Sequence, residues 1–314
     1  MSPDTDYLRL GCFGKLPFSP EYLNVHADLP TSRRFRSWLE EGRKAALLDS
    51  GADQLKERER GAHRWFLFGL PGSAELLAGV VRASADAGGR REFPFAVFAH
   101  VPRRLYHRHY ALVPLALRPT WEALDQAWTT LSAVAGEHAF RELVSDTRVP
   151  VPDPLRETES HYLSRHGEST ADLFQRGDGA NLSSFSAQFP TAVTAVKRGV
   201  GAGAPRVELP VSFELGTACF ETSFWLDLLN HQFLWKKFEP AVFLEGARGA
   251  RDRKVLLLFE DLRPEDYEAV LGGNGAERLL RPAHVPGETR EGGEASGPQT
   301  YGALLTTRFS SRNA

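Results

Sequence analysis

Arg64-Trp65-Phe66-Leu67-Phe68-Gly69-Leu70 is the stretch on which the fold turns. Three aromatics and two leucines stand together here, with almost no polar residue among them. A short apolar run bounded by Gly predicts a strand covered on both faces. Working outward, Leu76–Ser84 and Phe93–Val101 carry the same signal and are joined through Gly88-Gly89. Tyr7–Leu16 alternates loosely and predicts a further strand, ended by Pro17 and Pro20, since proline removes a ladder donor.

Helical spacing separates these strands. Pro30-Thr31-Ser32 predicts a helix start with a hydroxyl to cap the first free amides. Phe35, Trp38, Leu39 and Ala46 form its apolar stripe, and Arg33, Arg34, Arg36, Glu40, Glu41, Arg43 and Lys44 fill the other face. The charged segment Ser50–Gly61 reads as a loop. After Pro119, with Thr120 as cap, the residues Trp121, Leu124, Trp128, Leu131 and Ala135 predict a long amphipathic helix. Pro150, Pro152 and Pro154 mark a loop, and residues 156–180 are polar and carry no clear structural signal. Ala187–Gly203 could hold a short helix.

The later half predicts a strand over Val207–Leu215 and a helix over Phe220–Phe238 that is apolar nearly all round, hence central to a core or covered by a partner. A hairpin of Ala241–Leu244 and Lys254–Asp261 follows, then a short helix over Pro264–Leu271. Gly287–Gly297, rich in Gly and Glu with no large apolar residue, is expected to be disordered. This order predicts an α+β fold: a mixed, largely antiparallel central sheet covered by helices, with a second helix-rich α/β lobe and a flexible C-terminal tail. The expected division is 7–118, 119–280 and 281–314.

The charge balance excludes classes. A formal net charge of -2 over 314 residues gives no argument for nucleic acid or an anionic membrane. The acidic start Met1-Ser-Pro-Asp-Thr-Asp6 is unlike a secretory leader, and the longest apolar runs fall short of the ~20 residues of a membrane helix. A cytoplasmic protein is expected. Cys12 and Cys219 read as two buried, reduced thiols.

Candidate chemistry is thin. Gly11 to Lys15 resembles a phosphate loop only in outline: the spacing is Gly-x-x-Gly-Lys, and Leu16 stands where a hydroxyl is needed. Gly199–Gly203 lacks the dinucleotide spacing. His107 and His109, with His100 nearby, sit among Arg103, Arg104 and Arg108, which oppose a cation, so a solvated basic turn is expected and no metal. Glu40-Glu41 are adjacent on a helix and face apart. Gly-x-Ser-x-Gly is absent. No cofactor and no catalytic residue is expected.

Two short runs carry a resemblance: Gly11-Cys12-Phe13-Gly14-Lys15-Leu16-Pro17, and Arg91-Glu92-Phe93-Pro94-Phe95 about eighty residues later. With Trp38-Leu39 and Trp65-Phe66 between them, in that order, the chain resembles the TagF family of type VI secretion. One element departs: Pro20-Glu21-Tyr22-Leu23 stands where the family has Gly-Asp-Phe-Val. The match runs over residues 7–103 and thins beyond, where Phe224-Trp225-Leu226 and Pro240–Leu244 look like the family's second half. The resemblance implies a non-enzymatic, post-translational repressor that binds a cytoplasmic forkhead-associated scaffold protein.

For the partner surface the sequence offers Lys15, Tyr22, Arg36 and Arg91. Tyr22 lies in a Pro-flanked loop, less committed to a core than the helical tryptophans, and suits an aromatic anchor rimmed by charge. Lys15 and Arg91 are also readable as hydrogen-bonders that fix strand ends. Two other classes stay open: an enzyme such as a hydrolase with a dispersed site, which needs a deep pocket with convergent polar groups, and a structural part of the secretion apparatus. Oligomeric state is not legible.

Overall fold

Alternation along each central strand sorts the apolar residues onto two faces, and both faces are covered. In this computed structural model the described residues are 7–86, 88–89, 92–106, 109–176, 206–233, 239–246, 253–259 and 261–271. The predictions for 187–203 and for the tail from 281 lie outside them.

Among the described residues the strands are β1 (Tyr7–Gly14), β2 (Leu23–Val25), β3 (His63–Phe68), β4 (Glu75–Arg82), β5 (Phe95–Pro102), β6 (Arg148–Pro150), β7 (Arg206–Val211), β8 (Ala241–Glu245) and β9 (Arg253–Leu258). They form one open sheet in the order β2-β1-β5-β4-β3-β8-β9-β7, with β6 also pairing β1. Every pairing is antiparallel. The α+β expectation is met.

The opening stretch sits near the middle of that sheet. In β3, Trp65 and Leu67 face one core while Phe66 and Phe68 face the other. Neighbouring strands keep the same phase: Val242 and Leu244 join the first core, Ala241 and Phe243 the second. A sheet buried on both sides needs no polar face, which is why these strands read as continuous apolar runs.

One layer is built by α1 (Pro30–Ser50), α2 (Ala52–Glu59) and α8 (Asp266–Leu271). Helix α1 buries Phe35, Trp38, Leu39 and Ala46, the stripe its spacing predicts. The expected hydroxyl cap is absent. Leu29 is the cap residue, Ser32 Oγ turns back to donate to the Leu29 carbonyl (3.0 Å), and Thr31 meets Ser73 (3.1 Å). Proline in the first turn lowers the number of amides needing a partner. Trp38 Nε1 donates to the carbonyl of Arg263 (2.8 Å), and Gly42 lets α8 close in, since a Cβ there would stand 2.6 Å from Tyr267 Cβ.

Ser50–Gly61 is not a loop: most of it is α2. Leu55 and Glu59, one turn apart, are its buried residues. A single buried apolar residue anchors it, with ion pairs from Glu59 to Arg43, Lys56 to Glu92 and Arg58 to Glu268, and polar anchors give no periodic apolar signal.

The opposite layer holds α3 (Val113–Ala116), α4 (Arg118–Ser132), α5 (Glu137–Asp146), α6 (Leu155–Arg176) and α7 (Leu215–Phe233). In α4 the Trp121 and Leu124 side chains are buried, while Thr120 donates to the Pro150 carbonyl (3.1 Å) rather than capping. The unplaced segment from 155 is mostly helix, held by buried Tyr162, whose hydroxyl lies 3.2 Å from Asp227. Helix α7 begins at Leu215, five residues before its predicted start, because the Glu214 carboxylate accepts from the amides of Gly216 (2.8 Å) and Thr217 (2.5 Å). Its Phe220, Phe224, Trp225 and Leu229 are buried, as an all-round apolar helix requires. Among the described residues no helix is long and apolar enough to cross a membrane.

Candidate partner-binding surface

The geometry starts at Gly14, the last residue of β1. Its φ is +132°, and a Cβ there would lie 2.1 Å from the Pro94 carbonyl oxygen. Only glycine fits both the backbone and the contact. That approach seats the end of β1 on the entry to β5 and turns the chain at Lys15-Leu16-Pro17.

Ser19 N then donates to the Leu16 carbonyl (3.1 Å), and β2 returns along β1 with Phe13 opposite Asn24 and Gly14 opposite Leu23. Tyr22, one residue before β2, therefore lies beside Phe13. Their rings are parallel (4°) with centroids 6.0 Å apart. Phe93 stands edge-on to both, 5.0 Å from Tyr22 and 5.6 Å from Phe13. Each such pair contributes about 0.5–1.5 kcal/mol beyond area burial.

Two cations complete the cluster. Lys15 is only 2% exposed; its Nζ donates to the Pro20 carbonyl (2.8 Å) and sits 4.6 Å from the Tyr22 ring centre. Arg36, half-buried on α1, lies 5.7 Å from the Phe13 ring centre. Three of the four residues drawn from the sequence thus meet in one place, with different duties. Tyr22 is 49% exposed and presents an aromatic surface. Arg36 flanks it. Lys15 is not a rim charge: it fixes the loop from beneath, the hydrogen-bonding role that the sequence also allowed. Arg91 lies outside the described residues.

Phe13 and Phe93 were quoted in the motifs but not as site residues. Their convergence depends on the β1–β5 register, which pairs Phe13 with Ala96. The helical tryptophans offer no rival anchor among the described residues: Trp38, Trp121 and Trp225 are buried, and Trp128 is partly buried with its Nε1 donating to the Phe95 carbonyl (2.9 Å). The basic turn is also not simply solvated. Arg103 donates to the carbonyls of Ser73 and Leu70 (2.9 Å each) and pairs with Glu239. Both cysteines are free and buried, and burial pushes the Cys12 thiol up to about 12.

The fold is α+β, and its convergent surface cluster of aromatic and basic groups is built from residues 13 to 93. Residues 11–146 match the model of the TagF N-terminal domain, described as type VI secretion system-associated, and the chain carries that domain. Every member of the cluster lies inside the matched segment. No curated protein matches the chain. Among solved structures it is similar to that of PA0076 from Pseudomonas aeruginosa PAO1, with 18% identity over 90% of this chain and 100% of that chain, and a TM-score of 0.43.

Proposed function

We propose that this protein is a non-enzymatic, post-translational repressor of type VI secretion that works in the cytoplasm by binding a forkhead-associated scaffold protein. The type VI secretion-associated domain supports the system. The observation that carries a binding role is Tyr22: an aromatic half in solvent, held rigid by Phe13, Phe93 and the Lys15 amine. A pre-ordered aromatic loses little freedom on docking, and such residues with neighbouring arginines dominate binding energy at interfaces.

The test is direct titration of the full chain against the scaffold protein of the same secretion system. Tyr22→Ala should weaken binding by about 1–3 kcal/mol, roughly 5- to 150-fold. Undiminished affinity in Tyr22→Ala would move the interface elsewhere. Failure of the unmodified chain to bind would remove the scaffold as partner.

A further inference from the structure

A second polar site lies on the other side of the sheet, between β3, β9 and the turn that enters α7. Arg253, the first residue of β9, is 5% exposed, and neither its Nε nor its Nη1 has a hydrogen-bond partner among the described residues. Trp65 is equally buried, and its Nε1 is also unpartnered. The two share a face: Arg253 is in phase with Val255 and Leu257, as Trp65 is with Leu67, and all four of those neighbours or partners line the same core. The guanidinium carbon is 5.2 Å from the Trp65 ring centre and 4.5 Å from that of Phe213.

The described acids whose fields reach Arg253 are engaged elsewhere. Glu214, Glu245 and Asp125 act on it through their fields. Glu214 accepts the α7 amides. Glu245 lies 3.2 Å from Arg64 and, by strand alternation, belongs to the other face. Asp125 is held by Arg82, with His63 Nε2 2.9 Å from the same oxygen. A buried guanidinium with two idle donors beside an idle indole N–H is costly to maintain. A planar carboxylate satisfies it, because two oxygens match the donor fork of an arginine.

We propose that Arg253 and Trp65 form a receptor for a carboxylate, with Phe213 as its movable lip. Phe213 is 48% exposed and sits in the short turn between β7 and α7, so its displacement uncovers the guanidinium without disturbing the sheet. The carboxylate comes either from a free small acid or from an acidic side chain of a protein partner. This site stands apart from the Tyr22 surface and does not depend on it.

The experiment follows thermal unfolding of the full chain as sodium acetate replaces sodium chloride at constant ionic strength and pH. A saturable rise in Tm is expected. Phe213→Ala should lower the half-saturating acetate concentration, and Arg253→Lys, which keeps the charge but loses the fork, should raise it about tenfold. Arg253→Leu should abolish the rise; if that variant does not fold, the other two decide. Blocked tripeptides Gly-Glu-Gly and Gly-Gln-Gly form a second arm. Tighter binding of the Glu peptide than of acetate assigns a protein side chain, and the reverse ranking a free acid. The receptor is overturned if acetate gives no saturable shift in either the unmodified chain or Phe213→Ala, or if Arg253→Lys titrates like the unmodified chain.

Discussion

The hydroxyl of Tyr267 donates to Glu59 Oε1 at 2.5 Å, joining α8 to the end of α2 across 208 residues. The same carboxylate lies 3.0 Å from Arg43 Nε on α1, so one buried acid ties three helices together. Burial holds the Tyr267 phenol protonated well above its ordinary range, and the Glu59 charge adds to that. Removing one member of a buried ion pair leaves the other uncompensated. Glu59→Ala should cost about 3–5 kcal/mol in urea unfolding, and Tyr267→Phe about 1–2 kcal/mol. A loss under about 1 kcal/mol for Glu59→Ala would mean that Arg43 finds water instead.

Gly14→Ala tests the foundation of the Tyr22 surface. The substitution meets the Pro94 carbonyl and an unfavourable φ together. A loss of at least about 2 kcal/mol is expected, with weakened scaffold binding even where the chain stays folded. A variant as stable as the original would show that the β1 end relaxes freely.

Lys15 and Arg36 should separate stability from binding. Lys15→Met leaves the Pro20 carbonyl without its donor and should cost about 1–2 kcal/mol of stability. Arg36→Glu should leave stability within about 0.5 kcal/mol, slow association with an acidic partner and change its salt dependence. Stopped-flow association across a salt series reads this out. Equal effects of both substitutions on stability would contradict the division of roles.

Acid should destabilise the fold in two separate windows. Burial holds His63 below the ordinary imidazole value, with Arg82 and Arg64 adding to the effect and Asp125 opposing it. Burial does the same to His100, aided by the charge of His26 and opposed by Glu75. The unfolded chain therefore takes up protons first. Stability is complete above pH 6.5 and declines as pH falls toward the depressed folded values. For Asp125, burial raises the carboxyl, but His63 and Arg82 outweigh it and the net shift is downward, so its contribution fades only below pH 3.8. Urea midpoints measured from pH 8 to 5 should slope downward, and His63→Gln with His100→Gln should flatten that slope.

The central strands were legible because burial on both faces leaves an unbroken apolar run, as in Trp65-Phe66-Leu67-Phe68. Helix α1 was legible for the opposite reason: its stripe faces one core only. Helices α2 and α6 were not, because their buried anchors among the described residues are partly polar, Glu59 beside Leu55 in one and Thr158 beside Tyr162 in the other. The Tyr22 surface was half legible. Flanking proline marks Tyr22 as a loop aromatic, but nothing local shows that the Lys15 amine turns inward, and Phe93 joins only through strand register. Arg253 gave no signal at all. A charged residue opening a strand reads as exposed, and its burial depends on a turn forty residues earlier in the chain.

Helix-covered faces leave an open sheet whose edges, β2 and β6 at one side and β7 at the other, are short or interrupted. Strand β2 is three residues long; directly after it His26, with φ +52°, donates its Nδ1–H to the Leu10 carbonyl (2.7 Å) where another ladder residue would continue. At the far end β7 carries Pro210, which has no amide to offer. Beside β2, the three-residue β6 that pairs β1 ends at Pro150, so among the described residues a newcomer strand finds only short, interrupted edges. Short edges broken by a positive φ or a proline disfavour indiscriminate β-addition.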